Sequence, residues 1–161
     1  MKKVIVIGCP GAGKSTFARK LRDRTGLPLY YLDMIWHKPD KTTITCQEFD
    51  AKLSEIVRKE EWIIDGNYGR TLEMRLRECD TVFLLDLPVS VCLAGAQSRI
   101  GTQREDMPWK EETMDEEFHD WIVNFPEDEM PHVYELLKKY RDKNIIVFQS
   151  REEVNQYIIP S

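Results

Sequence analysis

The sequence predicts an α/β fold in which five parallel strands form one sheet flanked by helices. Two observations carry this reading. Short apolar runs alternate with segments of helical spacing along the whole chain, the order that builds βαβ units. The first run, "VIVI", also passes directly into a glycine-rich turn, "GCPGAGKS", before helical spacing begins.

The elements follow in order. Residues 3–7 are a continuous, mostly β-branched run, as in a strand covered on both faces. Phe17, Ala18 and Leu21 share one helical face, so a helix is predicted over about 13–24, ended by Gly26 and Pro28. "LYYL" is a second strand, which delivers Asp33 at its carboxyl end and opens the loop "DMIWHKP". "TCQE" is a capping box before a helix with Phe49, Leu53, Ile56 and Val57 on one face. "WIID" is a third strand ending at Asp65, and "TVFLLDL" a fourth, ending near Asp86 and stopped by Pro88. A helix over about 89–99 leads into a polar stretch, 100–113, and then two helical segments around 118–125 and 131–140. "IIVF" is the fifth strand, and "SREE" a second capping box opening a terminal helix through Val154, Tyr157 and Ile158. No repeat or linker divides the 161 residues, so one domain with a mobile insertion at roughly 100–113 is predicted.

Composition limits the partners. The net charge is −5, but residues 105–129 hold eleven acidic groups against one basic, Lys110. The rest then carries 23 − 1 = 22 basic and 28 − 11 = 17 acidic residues, a mildly basic body. Neither part has the dense basic footprint of a nucleic-acid binder, so direct DNA binding is not expected. No apolar run approaches the length of a membrane span. Cys9, Cys46, Cys79 and Cys92 form no CxxC pair and have no histidines at ligand spacing, which argues against zinc and for a reducing, cytoplasmic setting.

The glycine-rich turn satisfies G-x-x-x-x-G-K-[ST] through Gly8, Gly13, Lys14 and Ser15, with Gly11 as a further position without a Cβ. Its residue types have physical reasons. Glycines let the backbone curl so that its N–H groups point at phosphate oxygens. The helix that starts there offers unpaired N–H groups and a positive dipole end. Lys14 supplies a charge for the β- and γ-phosphates, and the Ser15 hydroxyl suits Mg²⁺. Gly8, Cys9, Pro10, Gly11, Ala12, Gly13, Lys14, Ser15 and Thr16 are therefore the predicted P-loop of an ATP site. Cys9 beside Lys14 and a helix N-terminus is either a thiol of lowered pKa or an inert filler.

In open α/β sheets ligands collect at the carboxyl ends of strands, where Asp33, Asp65 and Asp86 all fall. Phosphoryl transfer needs Mg²⁺ near the phosphates and a carboxylate to orient the acceptor. Ser15, Asp65 and Asp86 are thus metal candidates, and Asp33 the acceptor-orienting one. Trp36, in the loop after Asp33, is either a flat wall for the acceptor or core packing. Trp62, Trp109 and Trp121 are read as packing groups, with Trp109 placed to report lid closure.

"GCPGAGKST", "YLDMIWHKP", "WIIDGNYGRTLEMRL", "CDTVFLLDLP" and "RIGTQREDM", in that order, resemble the DNA topology modulation proteins, small P-loop kinases similar to adenylate kinase. The resemblance runs over most of the chain. It implies a P-loop NTPase fold of the nucleoside/nucleotide kinase-like type, ATP and Mg²⁺ as cofactors, and a small-molecule phosphate acceptor. "IDGNYGR" is similar to adenylate kinase's "DGFPR" with one residue inserted, which implies that Asp65 acts on Mg²⁺ through water and Arg70 contacts acceptor or phosphate. The stretch 100–113 stands where such kinases have their lid, implying that Arg99 and Arg104 close on the moving phosphoryl group. The loop "QSR" after strand five stands where similar kinases hold adenine. Two positions depart from the family pattern: Gly95, where relatives often carry arginine, and "PEDEMP", where they tend to be basic. Two activities fit this pattern. One is ATP-dependent phosphoryl transfer to a small hydroxyl- or phosphate-bearing acceptor, and the other is an ATP-binding regulatory switch with little transferase activity.

Overall fold

The computed structural model describes residues 1–158, apart from the side chain of Ile158. The central strand β1 (Lys3–Gly8) explains the rest of the layout. Val4, Ile5, Val6 and Ile7 are at most 1% exposed, so both faces of the strand have to be covered by helices. It pairs in parallel with β3 (Trp62–Asp65) on one side and β4 (Thr81–Leu85) on the other. The edges are β2 (Leu29–Tyr31) and β5 (Asn144–Phe148), giving an all-parallel sheet of order β2-β3-β1-β4-β5. After β1 the chain runs outward to β2, returns to β3, and only then crosses to β4. The ends of β1 and β3 therefore lie beside the reversal of strand order, where α/β sheets bind ligands.

The helices are α1 (Lys14–Thr25), α2 (Leu32–Trp36), α3 (Cys46–Val57), α4 (Gly69–Glu78), α5 (Val89–Ser98), α6 (Glu116–Asp128), α7 (Met130–Lys139) and α8 (Arg151–Ile158). Gly26 ends α1 in the left-handed conformation, φ 77°, donating its N–H to Arg22. The capping box at Thr45 and Glu48 forms reciprocally, and Phe49, Leu53, Ile56 and Val57 are buried as their spacing requires. In the second predicted box, Ser150 Oγ accepts from the Glu153 N–H at 3.1 Å, while Glu153 reaches the N–H of Gln149 rather than that of Ser150. Phe17, Phe83 and Phe148 pack with centroids 4.9–6.1 Å apart, and Tyr157 of α8 joins them at 5.2 Å from Phe83. Trp62 is wholly buried core, as expected of a packing group.

Two elements differ from expectation. The loop opened by Asp33 begins as the one-turn helix α2, so Asp33 stands one residue into a helix rather than at a strand end. Helix α4 was not legible as an element: it starts after Tyr68, a non-glycine residue at φ 42°, and has no side-chain cap. The stretch 100–113 has no helix or strand, yet it is tied down. Glu105 accepts from the Tyr31 hydroxyl and, at 3.0 Å, from Arg22, and the Gly101 N–H donates to the Glu111 carbonyl. Among the described residues no helix is long and apolar enough to cross a membrane.

Candidate active site

The predicted P-loop links β1 to α1 as an open cradle. Ala12 N–H donates to the Cys9 carbonyl at 3.0 Å, and Gly13 caps α1 at φ 93°, a conformation that favours glycine. Lys14 is folded over the loop, its Nζ 3.4 Å from the Cys9 carbonyl. The loop is clamped from outside as well. Gly8 N–H donates to Asn67 Oδ1 at 3.0 Å, and Arg151 of α8 donates to the Ala12 carbonyl at 2.8 Å. Arg151, which sequence reasoning left unassigned, thus braces the cradle.

Gly95 has a structural reason that corrects its reading as a missing arginine. A Cβ built on Gly95 would stand 2.1 Å from the Gly11 carbonyl oxygen, and one on Gly11 would stand 1.9 Å from the Cys92 carbonyl oxygen. Helix α5 and the P-loop pack backbone against backbone, so no phosphate-binding side chain fits at 95. For Cys9 the structure separates the two readings. It is 5% exposed, and the neighbouring Cys92 thiol together with burial pushes its pKa up, not down, so the filler reading holds.

On β3 the register sets Asp65 opposite Val6, next to the loop. Its Oδ2 accepts from the Ser15 hydroxyl at 2.6 Å, while its Oδ1 is buried without a partner. Burial pushes the Asp65 carboxyl up to about 6, against the pull of Lys14 and Ser15. Because Ser15 spends its proton on Asp65, its lone pairs stay available. A hydroxyl and an orphaned carboxylate oxygen side by side fit a hard cation such as Mg²⁺, which keeps waters and phosphate oxygens as its other ligands. Asp86 does not join them: its Oδ2 accepts from Tyr134 of α7 at 2.5 Å, and it lines no cavity with Ser15. Its place past β4 puts it on the far side of β1 from Asp65. Among the described residues no three His, Cys, Asp or Glu side chains converge on a metal site.

Asp33 faces the cavity that Ser15 and Asp65 line, and its Oδ1 accepts from the Tyr68 hydroxyl at 2.6 Å. Burial and the Asp33 charge push the Tyr68 phenol well above its usual range, so it remains a donor. Tyr68 is held in turn by Arg75, a residue missed at the sequence level. Arg75 is fully buried and donates to the carbonyls of Gly66, Asn67 and Tyr68. Burial brings its pKa down to about 10. Its signal was an arginine sharing a helical face with Leu72 and Leu76. Trp36 lines the cavity and packs edge-on against Phe49, centroids 5.6 Å apart.

Arg70 is the clearest miss. Both its Nη atoms bind Asp50 of α3, at 2.9 and 2.7 Å, on the surface and outside the cavity. The arginine expected to contact acceptor or phosphate is paired with Asp50 on the surface instead. Arg99 and Arg104, by contrast, do converge. Arg99 Nε is buried without a partner, and burial with the adjacent Arg104 charge lowers its pKa. Arg104 lies 3.7 Å from the buried Asp106, another residue missed. Two neighbouring guanidiniums with an unused N–H form a receptor for an anion.

Two cavities meet there. One, of about 640 Å³, opens over Gly11, Gly13 and Thr16 and is rimmed by Arg19, Lys20 and Arg151. Arg19 Nη1 is buried without a partner, and its Nη2 binds Thr16 at 3.2 Å. The other, of about 500 Å³, runs from Lys14 and Asp65 past Asp33 and Trp36 to Trp109 and Trp121. Both tryptophans were read as packing groups, Trp109 also as a reporter of lid closure. Ser15, Arg99, Arg104 and Asp106 line both cavities.

No family model matches the chain. Adenylate kinase of Thermotoga neapolitana is 32% identical over an alignment covering 53% of this chain and 39% of the relative. Shikimate kinase of Rhodococcus jostii is 36% identical over 55% of this chain and 61% of the relative. The chain thus spans about two fifths of the adenylate kinase and three fifths of the shikimate kinase that it matches. Among solved structures, shikimate kinase from Acinetobacter baumannii in complex with shikimate superposes with a TM-score of 0.63. That match has 15% identity and covers 98% of this chain and 91% of that one. A sugar kinase from Janibacter sp. gives a TM-score of 0.57 at 22% identity, covering 98% and 90%. The chain has the P-loop kinase fold. Its sequence likeness reaches two kinase families at once, adenylate and shikimate kinases.

Proposed function

We propose that the protein transfers the terminal phosphoryl group of ATP to a hydroxyl of a small acceptor. The observation that carries this reading is the shared wall: one cationic cavity over the P-loop and one acceptor-sized cavity over Asp33 meet at Ser15, Arg99, Arg104 and Asp106. ATP lies along residues 8–16 in this reading. Ser15 and, through water, Asp65 hold Mg²⁺, which supplies charge neutralisation on the phosphate oxygens.

Asp33 orients the acceptor. With Oδ1 fixed by Tyr68, its Oδ2 takes the proton of the acceptor hydroxyl as that oxygen attacks the γ-phosphorus. The bond from phosphorus to the bridging oxygen breaks, leaving ADP, a phosphorylated acceptor and one proton on Asp33. Lys14, Arg99 and Arg104 hold the equatorial oxygens, where charge spreads in the transition state. The segment 100–113 acts as the lid of one domain, already tied to the body through Glu105, which accepts from Arg22 and Tyr31. The free thiols of all four cysteines accord with a cytoplasmic enzyme.

The resemblance to DNA topology modulation proteins names no acceptor. The switch reading is weakened, because Gly95 is explained by packing, while of the acidic segment Glu127 and Asp128 face solvent and Glu129 lines the cavity. A test incubates the protein with γ-labelled ATP, Mg²⁺ and a panel of nucleosides, nucleotides, sugars and amino alcohols. Label on one acceptor, lost in Asp33→Asn, is expected. Tight ATP binding with no label on any acceptor returns the switch.

A further inference from the structure

Arg75 lines neither cavity, and the place it occupies calls for an apolar side chain. It shares the buried face of α4 with Leu72 and Leu76, is 0% exposed, and pairs with no carboxylate among the described residues. Its Nε is buried without a partner as well. A buried guanidinium with no ion-pair partner works against stability, and an apolar residue of similar volume would pack there at less cost. The reason for an arginine lies in its other two nitrogens. Nη1 donates to the Gly66 carbonyl at 3.0 Å, and Nη2 donates to those of Asn67 and, at 3.1 Å, Tyr68.

Those carbonyls belong to a turn whose backbone is strained. Tyr68 stands at φ 42°, which a non-glycine residue keeps only where its surroundings fix it. One side chain reaches from the turn to each site. Asn67 Oδ1 accepts from the Gly8 N–H of the P-loop at 3.0 Å, and the Tyr68 hydroxyl donates to Asp33 Oδ1 at 2.6 Å. Strand β1, which ends at Gly8, and β2, which leads to Asp33, are not neighbours, because β3 lies between them. The turn at the end of β3 is thus a bridge from the P-loop to Asp33, and Arg75 fixes its shape.

We propose that Arg75 is a positioning residue for phosphoryl transfer, which fixes this turn and so sets Asp33 against the nucleotide's seat. This rests on the phosphotransfer reading above and adds to it the part that registers acceptor with donor. Reacting atoms must be held closely, a misplacement of about 1 Å costing about 10²-fold in rate. A planar fork serves three carbonyls at once, whereas a lysine ammonium is a point charge on a flexible stem. Arg75→Lys therefore keeps a long basic side chain and loses the geometry.

The test follows phosphate released from γ-labelled ATP·Mg²⁺ with water as the acceptor, and transfer to any compound of the panel that takes label. Arg75→Lys should lower kcat by about 10- to 100-fold, while KM for ATP stays within about threefold because the loop keeps its Arg151 clamp. Tyr68→Phe retains the ring stacked on Phe49 at 5.2 Å, removes only the hydroxyl, and should lower kcat by about tenfold. Because the two residues act in series, the double variant should be no slower than Arg75→Lys alone. Leu76→Val, on the same buried face, should lower the melting temperature yet leave kcat within about twofold. Asn67→Ala with Tyr68→Phe cuts both grips while the arginine stays in place, and should reproduce the loss even where Arg75→Lys does not fold.

Unchanged kcat in that pair, multiplying losses in Arg75→Lys with Tyr68→Phe, or an equal kcat loss in Leu76→Val overturns the positioning role and leaves the kinase reading standing. A wild type that binds ATP but neither hydrolyses it nor labels any compound ends the kinase reading and this role together.

Discussion

Of the two cavities that meet at Ser15 and Arg99, the one over the P-loop is rimmed by Arg19, Lys20 and Arg151, whereas its neighbour is lined by Asp33, Glu111 and Glu129. They also differ in what builds them. The first is built on the P-loop, fixed by glycines, a helix start and the clamps from Asn67 and Arg151. The second is mostly side chain, gathered from α2, the turn after β3, the stretch 100–113 and α6. A triphosphate is the same in every enzyme that uses it, so a backbone motif can hold it. An acceptor is particular, and the groups that choose it come from wherever the fold brings them.

Four substitutions separate the two sides. Lys14→Ala should have the largest effect, lowering turnover by about 10²–10³-fold or more, because it removes a charge aimed at the moving phosphoryl group. Steady-state kinetics check it, and a variant within tenfold of wild type would remove the P-loop side from the chemistry. Asp33→Asn should cost about 10²-fold in kcat while ATP affinity by calorimetry stays put, since it acts only on the acceptor side. Weakened ATP binding would merge the two cavities into one functional unit.

Asp65→Asn sharpens the border between them. The folded carboxyl has a pKa of about 6 against an ordinary 3.8, so ionising it costs the fold. That cost is absent at low pH, grows as pH rises from about 4 to 6, and is complete above. The variant should therefore unfold at higher temperature than wild type at about pH 8, by the equivalent of about 1–3 kcal/mol, with the gap closing toward about pH 4. Its Mg²⁺-dependent activity should fall even so. Melting curves across pH test this, and a pH-independent gap would contradict it. Arg70→Ala should do least. Its exposed pair with Asp50 predicts kcat and KM within about twofold of wild type and an unchanged melting temperature. A large rise in acceptor KM would bring Arg70 back into the site.

The sheet and the P-loop were legible because each follows a local rule: β-branched runs, a strand–turn–helix context, glycines at fixed spacing. Asp65 lines the cavity from a strand end, where this class of sheet binds ligands, and Asp33 lines it from two residues past the end of β2. The same rule overreached at Asp86, since spacing along the chain does not say on which side of β1 a strand lies. Arg70 and Arg75 stand five residues apart in "RTLEMR", and nothing local shows that the second is the buried one. That depends on Asp50 drawing one outward and the turn carbonyls drawing the other in. Arg19, Tyr68 and Asp106 were missed for a similar reason. Tyr68 bonds Asp33, 35 residues away, and Arg19 and Asp106 matter through the cavities they line, which only the assembled fold defines.

With no side chain between Gly11 and Gly95, the phosphate cradle and helix α5 behave as one mechanical part. That helix ends at Arg99 and continues into the covering segment. In the phosphotransfer proposed above, a displacement of that segment would reach the P-loop without slack, and a triphosphate arriving there would be felt by the segment in return. Loading and closure would then be a single event, transmitted through two positions where the chain carries no more than a hydrogen.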